Sequence, residues 1–229
     1  MAEPLRGVVL DIEGTTAPIA FVHRVLFPYA REHLPALLQF RAADPAVAAE
    51  VAAVREAVPD QEPLTTLLEW LDADVKAAPL KVLQGLLWRA GFEDGTLRAE
   101  LYPDVAATLR SWHVAGLRLS VYSSGSVEAQ KLLYGYSVDG DLSGLFEGFF
   151  DTRVGAKREA GSYRAVSAQL ACDPATLLFL SDVEAELVAA AEADFAVCQL
   201  VRPEDGTVAS TRFRTAATLP EAGRLFGLN

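Results

Sequence analysis

The chain has 229 residues, of which 51% are hydrophobic, and its formal net charge is −11. This length suits one large domain or a core domain with an insertion, and the apolar content argues against a disordered chain. The negative charge argues against nucleic acid or an anionic membrane surface as a partner. It is compatible with a small anionic substrate, because a metal ion can reverse the field inside a pocket.

The cysteines, histidines and apolar runs point to a cellular compartment. Cys172 and Cys198 form no CxxC pair and the three histidines lack metal-ligand spacing, so we expect no zinc site. Two scattered cysteines suit a reducing compartment. The first residues lack the apolar stretch of a signal peptide, and no apolar run approaches the ~20 residues that cross a bilayer. We therefore expect a cytoplasmic protein with no nucleic-acid or membrane partner. We also expect a monomer.

The first predicted element is a short buried strand, residues 8–10 (Val-Val-Leu), which ends at Asp11. Residues 20–100 differ from it, because they are rich in Ala, Leu, Glu and Arg and carry apolar residues at helical spacing. This pattern predicts a block of helices with short connections. We expect the helices to be broken at Pro35, Pro45, Pro59, Pro63 and Pro79.

Beyond residue 103, strand-like and helix-like segments alternate. We predict strands at 117–122, 149–150, 177–180 and 195–201, and helices at 105–112, 127–133, 162–170 and 184–193. Such alternation is typical of an α/β fold with a doubly wound, Rossmann-like parallel sheet. Residues 1–14 and 103–229 then form the core domain, and residues 15–102 form an inserted helical domain.

Four predicted strands end in polar residues: Asp11, Ser123, Asp151 and Asp182, with Lys157 soon after the third. Ligands of open α/β sheets bind beyond the carboxyl ends of the strands, where the strand order reverses. Folding would therefore gather these side chains at one edge of the sheet.

Asp11 and Glu13 are the candidate catalytic pair. Their spacing of two along extended chain puts both side chains on the same side. A carboxylate can attack phosphorus to give an aspartyl-phosphate, and a second carboxyl can protonate the leaving oxygen and later activate water. Alternatively, Asp11 caps the following turn and Glu13 is solvated.

The candidate phosphate site combines Ser123, Ser124 and Lys157. Hydroxyl and backbone N–H groups before a helix can bind phosphate, and a lysine can neutralise it. Alternatively, Ser126 simply caps the next helix and Lys157 is a solvated surface lysine.

Asp182 is a candidate metal ligand, because together with Asp11 it offers the hard oxygen atoms that Mg²⁺ prefers. Glu184 suits the helix dipole at the start of a helix, whereas Glu186 is expected near the metal, through water.

The order Asp11/Glu13, Ser123, Lys157, Asp182 resembles the haloacid dehalogenase (HAD) superfamily. Glu13, where most HAD phosphatases carry Asp, narrows the resemblance to the enolase-phosphatase (acireductone synthase) family of methionine salvage. The stretches that carry it are 11–16, 26–29, 83–85 with Trp88, 122–133, 155–157 and 178–183.

The resemblance implies a HAD-like core, a helical cap over residues 15–102 and a Mg²⁺ cofactor. It implies Asp11 as nucleophile and metal ligand, and Glu13 as acid/base with its backbone carbonyl on the metal. Ser123 and Ser124 would hold substrate, Lys157 the phosphate and Asp182 the metal. Tyr136 stands where the family usually has His, so its part in substrate binding is open.

The substrate that the resemblance implies is 2,3-diketo-5-methylthiopentyl 1-phosphate, a small phosphorylated diketone. Enolisation and dephosphorylation would yield the acireductone 1,2-dihydroxy-3-keto-5-methylthiopentene and phosphate. A first alternative is a HAD phosphatase for another small phosphate ester. A second is a receiver-type phospho-acceptor domain, which the first-strand aspartate and the long insertion disfavour.

Overall fold

The computed structural model describes residues 4–228. The chain divides into two compact units. The core unit runs up to residue 19 and resumes at residue 99, and the helical unit comprises residues 20–98. The helical unit is slightly shorter than the inserted domain of residues 15–102 that the sequence predicts.

The helical unit begins with a short helix α1 (Ile19–Phe21), which continues through a π-helical segment (Val22–Leu26) into α2 (Phe27–Phe40). Three further helices follow, α3 (Pro45–Ala57), α4 (Pro63–Asp72) and α5 (Ala78–Glu93). Helices α2 to α5 pack on one another around buried aliphatic side chains, including Leu34, Val54, Leu67 and Leu83.

The prolines of the helical unit have two different outcomes. Pro45, Pro63 and Pro79 lie in the first turns of α3, α4 and α5, where a missing N–H costs nothing. The break predicted at Pro35 is wrong, because this residue lies inside α2. Leu34 and Leu37 on either side of it are buried in the helical core, and this packing keeps the helix continuous.

The core unit contains a six-stranded parallel sheet in the order β3-β2-β1-β4-β5-β6. Its strands are β1 (Gly7–Leu10), β2 (Arg118–Tyr122), β3 (Phe146–Phe150), β4 (Leu177–Ser181), β5 (Ala196–Leu200) and β6 (Thr215–Ala216). The α/β, doubly wound fold class is therefore confirmed.

Five helices accompany the sheet: α6 (Val105–Val114), α7 (Val127–Gly135), α8 (Ala160–Gln169), α9 (Glu184–Ala191) and α10 (Leu219–Phe226). Buried side chains of the strands, such as Val9 and Phe179, pack against Tyr163 of α8 and Leu187 of α9. Across residues 4–228, the helices are too short or too polar to cross a bilayer.

Candidate active site

The carboxyl ends of β1 and β4 meet at the centre of the sheet. Leu10 of β1 pairs with Leu180 of β4, and the Asp11 N–H donates to the Leu180 carbonyl at 2.9 Å. Because β1 lies between β2 and β4, the strand order reverses there, and this is the usual ligand position in such sheets. Asp11 directly follows β1 and Asp182 directly follows β4, so both aspartates stand at this edge.

Asp11 and Lys157 form a buried ion pair. The Lys157 Nζ lies 2.6 Å from Asp11 Oδ1, which also accepts the Ile12 N–H at 2.8 Å. The second carboxylate oxygen, Oδ2, lies 3.3 Å from Ser181 Oγ, a long hydrogen-bond distance. Both side chains are more than nine-tenths buried, so Lys157 is not the solvated surface residue of the alternative interpretation.

Glu186, in the first turn of α9, is the second partner of this lysine. Its Oε2 lies 2.7 Å from Lys157 Nζ and accepts from Ser181 Oγ at 3.0 Å. Burial, together with the charge of Asp11, raises the pKa of Glu186 above its ordinary value. Burial alone would lower the pKa of Lys157, but the carboxylates of Asp11 and Glu186 raise it. The lysine is therefore held as the cation.

Asp182 is placed differently from Asp11. Its Oδ1 is buried and, within the described residues 4–228, has no hydrogen-bond partner. Burial and the nearby charge of Asp11 raise the pKa of Asp182 to about 6. A buried acceptor without a donor is costly unless something else satisfies it, and a cation would do so.

The charges of this cluster suit a divalent metal. The ammonium of Lys157 contacts the carboxylates of Asp11 and Glu186, and the carboxylate of Asp182 is close enough to feel the charges of both Asp11 and Lys157. Within residues 4–228 no three His, Cys, Asp or Glu side chains are grouped to form a complete metal cage. Mg²⁺ needs no such cage, since it usually takes one or two carboxylates and completes its octahedron with water and substrate phosphate.

The loop after β1 folds back on itself. Glu13 is half-buried and pairs with Ala17 in an isolated bridge, and the Thr15, Thr16 and Ala17 N–H groups all donate to the Ile12 carbonyl. The Thr16 hydroxyl donates to the Asp11 carbonyl at 3.1 Å, and its oxygen lies 2.8 Å from the hydroxyl of the buried Tyr134. The sequence interpretation gave Thr15 and Thr16 no role, although their position directly after the aspartate was a usable signal.

The predicted phosphate loop lies between β2 and α7. Ser123 is buried, its N–H donates to the Phe150 carbonyl and its Oγ accepts from Gly125 N–H at 3.4 Å, while Ser124 is half-buried in the turn. Ser126 caps α7 by accepting from the Ala129 N–H, as the sequence predicted.

Two buried side chains attach this loop to β3. The Gln130 Nε2 donates to the carbonyls of Gly125 and Phe150, both at 2.8 Å. Asp151, the fourth strand-end residue, accepts from the Val127 N–H at the start of α7 and pairs with Arg153. Asp151 therefore supports the loop and has its own cationic partner.

The fold and this cluster define a class of hydrolases. The family model described as "Hydrolase: haloacid dehalogenase-like hydrolase" matches residues 5–194, so the chain belongs to the haloacid dehalogenase-like hydrolases. Phosphatases of this family generally use a divalent metal ion.

Relatives narrow the assignment within that family. Enolase-phosphatase E1 of Gluconacetobacter diazotrophicus is 57% identical over 226 residues, covering 99% of this chain and 96% of the relative. Enolase-phosphatase E1 of Acidiphilium cryptum is 53% identical, covering 96% and 94%. The crystal structure of the UTR4 protein of Saccharomyces cerevisiae superposes with a TM-score of 0.80 at 34% identity, covering 94% of this chain and 98% of that one. The chain is thus an enolase-phosphatase E1 family member.

Proposed function

We propose that the chain converts 2,3-diketo-5-methylthiopentyl 1-phosphate to 1,2-dihydroxy-3-keto-5-methylthiopentene and phosphate, in methionine salvage, with Mg²⁺ as cofactor. The observation that carries the proposal is the buried contact between Lys157 and Asp11, at 2.6 Å, together with the buried Oδ1 of Asp182, which no donor of residues 4–228 reaches. The names of the relatives supply the two reactions, an enolisation and a phosphate-ester hydrolysis.

In this proposal Asp11 is the nucleophile. Its carboxylate attacks phosphorus, the bond from phosphorus to the substrate oxygen breaks, and an aspartyl-phosphate forms. Glu13 gives a proton to the departing oxygen, then takes one from the water that hydrolyses the aspartyl-phosphate. This cycle returns Asp11 as a carboxylate and releases inorganic phosphate.

Lys157 and the serines bind the anionic group. The ammonium of Lys157 is already desolvated beside Asp11, so it can face the phosphoryl oxygens at little further cost. Ser123 and Ser124 precede the N-terminus of α7, whose N–H groups and dipole favour an anion. The loop in which they lie supports a role in holding the substrate.

Asp11 and Asp182, with the Glu13 carbonyl, would hold Mg²⁺. When bound, Mg²⁺ polarises a substrate carbonyl, acidifies the adjacent carbon and neutralises phosphoryl charge. The free acceptor atom of Asp182 and the excess of carboxylates over ammonium groups support this assignment. Glu13 is our candidate for the base that removes the carbon-bound proton.

The direct test supplies the diketone phosphate with Mg²⁺ and follows phosphate release together with the ultraviolet absorbance of the enediol. We expect both signals from the natural chain, neither after chelation, and no recovery with Ca²⁺, which prefers looser coordination. Phosphate release without the absorbance, or preference for other esters in a panel, would instead support a HAD phosphatase of different specificity.

The Asp11→Asn variant tests the nucleophile. It should lose turnover while retaining the fold, as judged by circular dichroism and by the unfolding midpoint. Unchanged turnover in this variant would contradict the aspartyl-phosphate mechanism.

We also propose that the chain is a cytoplasmic monomer. Cys172 and Cys198 are both free thiols, which supports a reducing compartment. Light scattering coupled to size exclusion would test the monomeric state.

A further inference from the structure

The Asp182 carboxylate has little of its own to hold it. Its Oδ1 has no hydrogen-bond partner within residues 4–228, and a Cβ added at Gly14 would lie 2.5 Å from its Oδ2. The direction of this carboxylate therefore depends on how firmly the backbone of residue 182 is fixed.

The carbonyl of Asp182 is held directly from β5. It accepts from Gln199 Nε2 at 2.8 Å. Gln199 is itself buried and fixed by two further bonds, because Nε2 donates to the Val208 carbonyl and Oε1 accepts from the Ser210 N–H at 2.6 Å. This amide therefore has a single orientation, and it fixes the backbone of Asp182 relative to β5.

The N–H of Asp182 is held through Thr15, whose Oγ1 accepts it at 3.1 Å. Thr15 is fully buried, and its carbonyl accepts from both Nη2 and Nε of Arg202, at 2.8 and 3.3 Å. Arg202 thus fixes the threonine that in turn fixes residue 182.

Arg202 is an unusual residue to find at such a position. Only 3% of its surface is exposed, and its guanidinium stacks 4.0 Å above the ring of Tyr102. Its charge is balanced by Asp104, which accepts from Nη1 at 2.8 Å and from Nη2 at 3.2 Å. Burying an ion pair gains little stability over apolar packing, so the main effect of Arg202 is to fix its partners, the carbonyls of Thr15 and Ala217.

We propose that Gln199 in β5 and Arg202, just after β5, are positioning residues that aim the Asp182 carboxylate at Mg²⁺. We call these two residues the β5 pair. The proposal rests on the metal assignment in the proposed function. Both residues lie outside residues 5–194, the segment that the family model matches. Their proposed role is therefore not part of what that match shows. Partners that orient metal ligands typically contribute about 10- to 100-fold in metal affinity.

The test compares Mg²⁺ binding, by calorimetry and by the Mg²⁺-dependent shift of the unfolding midpoint, in three variants and one control. The variants are Gln199→Met, Arg202→Met and Arg202→Lys. The control is Arg118→Met, because Arg118 also bonds a carboxylate and a backbone carbonyl, those of Glu147 and Leu170, but at the amino end of β2.

We expect Gln199→Met and Arg202→Met to weaken Mg²⁺ binding about tenfold, with turnover largely recovered at saturating Mg²⁺. Arg202→Lys keeps the charge but loses the planar fork of N–H donors, so it should fall between the natural chain and Arg202→Met. Arg118→Met should lower the unfolding midpoint and leave the Mg²⁺ affinity unchanged.

Mg²⁺ affinity that is unchanged in both Met variants, with only the loss of stability seen in the control, would overturn the proposal. If Arg202→Met does not fold, Gln199→Met decides the question alone. An absence of Mg²⁺ binding in the natural chain would overturn the metal assignment and the role of the β5 pair together. Equal Mg²⁺ affinity in the natural chain and in the variants would overturn only the positioning role of the β5 pair.

Discussion

The loop that carries the candidate nucleophile leaves no room for a side chain at residue 14. Gly14 has φ +69°, a conformation that other residues rarely adopt, and an added Cβ would come within 2.5 Å of Asp182 Oδ2. Gly116 has a similar φ of +85°, but its position is open, with no atom within 4 Å of an added Cβ. Comparing substitutions at these two glycines therefore distinguishes the effect of backbone strain from the effect of a clash with Asp182.

Gly14→Ala and Gly116→Ala should both destabilise the chain, by about 1–2 kcal/mol from the left-handed backbone. Only Gly14→Ala should also displace Asp182, so we expect its turnover to fall on the order of 100-fold. Chemical denaturation and the phosphate-release assay measure the two effects. Equal turnover in the two variants would contradict the close approach of Gly14 to Asp182.

Lys157 is the cation that contacts the buried carboxylates of Asp11 and Glu186. Lys157→Met leaves Asp11 and Glu186 without their shared partner, so we expect a loss of about 3–5 kcal/mol of stability and no turnover. Adding Glu186→Gln removes one uncompensated charge and should restore part of the stability without restoring turnover. Denaturation midpoints of the single and double variants measure this, and no recovery in the double variant would argue against direct coupling.

The two thiols should differ in reactivity. Burial, with a smaller contribution from the charge of Glu221, raises the pKa of Cys198 to about 12, so its reactive thiolate is scarce at neutral pH. Cys172 is partly exposed. A thiol-specific chromogenic reagent at pH 8 should therefore label one thiol per native chain quickly, and both after denaturation. A Cys172→Ser variant that still reacts quickly would contradict this assignment.

The sequence predicted which residues gather at the strand ends, because strands that alternate with helices give a parallel sheet with one functional edge. It could not predict that Glu186 would contact Lys157 directly, since this depends on how α9 leaves β4. The β5 pair was also missed. Gln199 and Arg202 lie far along the chain from Asp182 or Thr15, and a buried arginine has no local pattern that separates it from an exposed one.

At the scale of the secondary-structure element, α2 tolerates a proline that should weaken it. Pro35 is exposed, and proline in a helix interior costs about 3 kcal/mol relative to alanine, through a lost hydrogen bond and a steric clash.

Pro35→Ala should therefore raise the free energy of unfolding by about 1–3 kcal/mol, somewhat reduced by the greater freedom of the unfolded chain. Pro45→Ala is the matched control, because Pro45 occupies the first turn of α3, and we expect it to be neutral or slightly destabilising. Thermal and denaturant unfolding measure both. Equal effects would show that Pro35 does not strain α2.

The last two elements, β6 and α10, were not predicted. Strand β6 has only two residues, too few to show any periodicity, whereas α10 was missed although Thr218, Pro220 and Glu221 form a recognisable helix start. Strand β3 begins at Phe146, three residues before the predicted start at residue 149. The prediction began too late because Gly148 interrupts the apolar run. The long, strongly patterned elements were predicted within a few residues.

At the scale of the whole molecule, all proposed Mg²⁺ ligands belong to the core unit, and so does the β5 pair. The core unit also brings its own two segments together, because the Tyr102 N–H donates to the Thr16 carbonyl at 3.1 Å. A short Gly/Ser linker can therefore replace residues 20–98 with little closure cost.

We expect this shortened chain to unfold cooperatively and to bind Mg²⁺ within about tenfold of the natural affinity. Its turnover should be much lower, because the family resemblance implies a helical cap that excludes water. Calorimetry and the assay of phosphate release measure this. Non-cooperative unfolding would show that the core unit depends on the helical unit for its fold.

The position of β1 in the sheet also orders events during synthesis. Asp11 leaves the ribosome 170 residues before Ser181, which donates to it. At about 5–20 residues per second, that interval lasts on the order of 10–30 s. Once residue 98 has been made, the helices of residues 20–98 have all their partners, whereas β1 still lacks both β2 and β4. The earliest strand is thus among the last to be enclosed, and a nascent-chain chaperone would meet it as an open, β-branched edge.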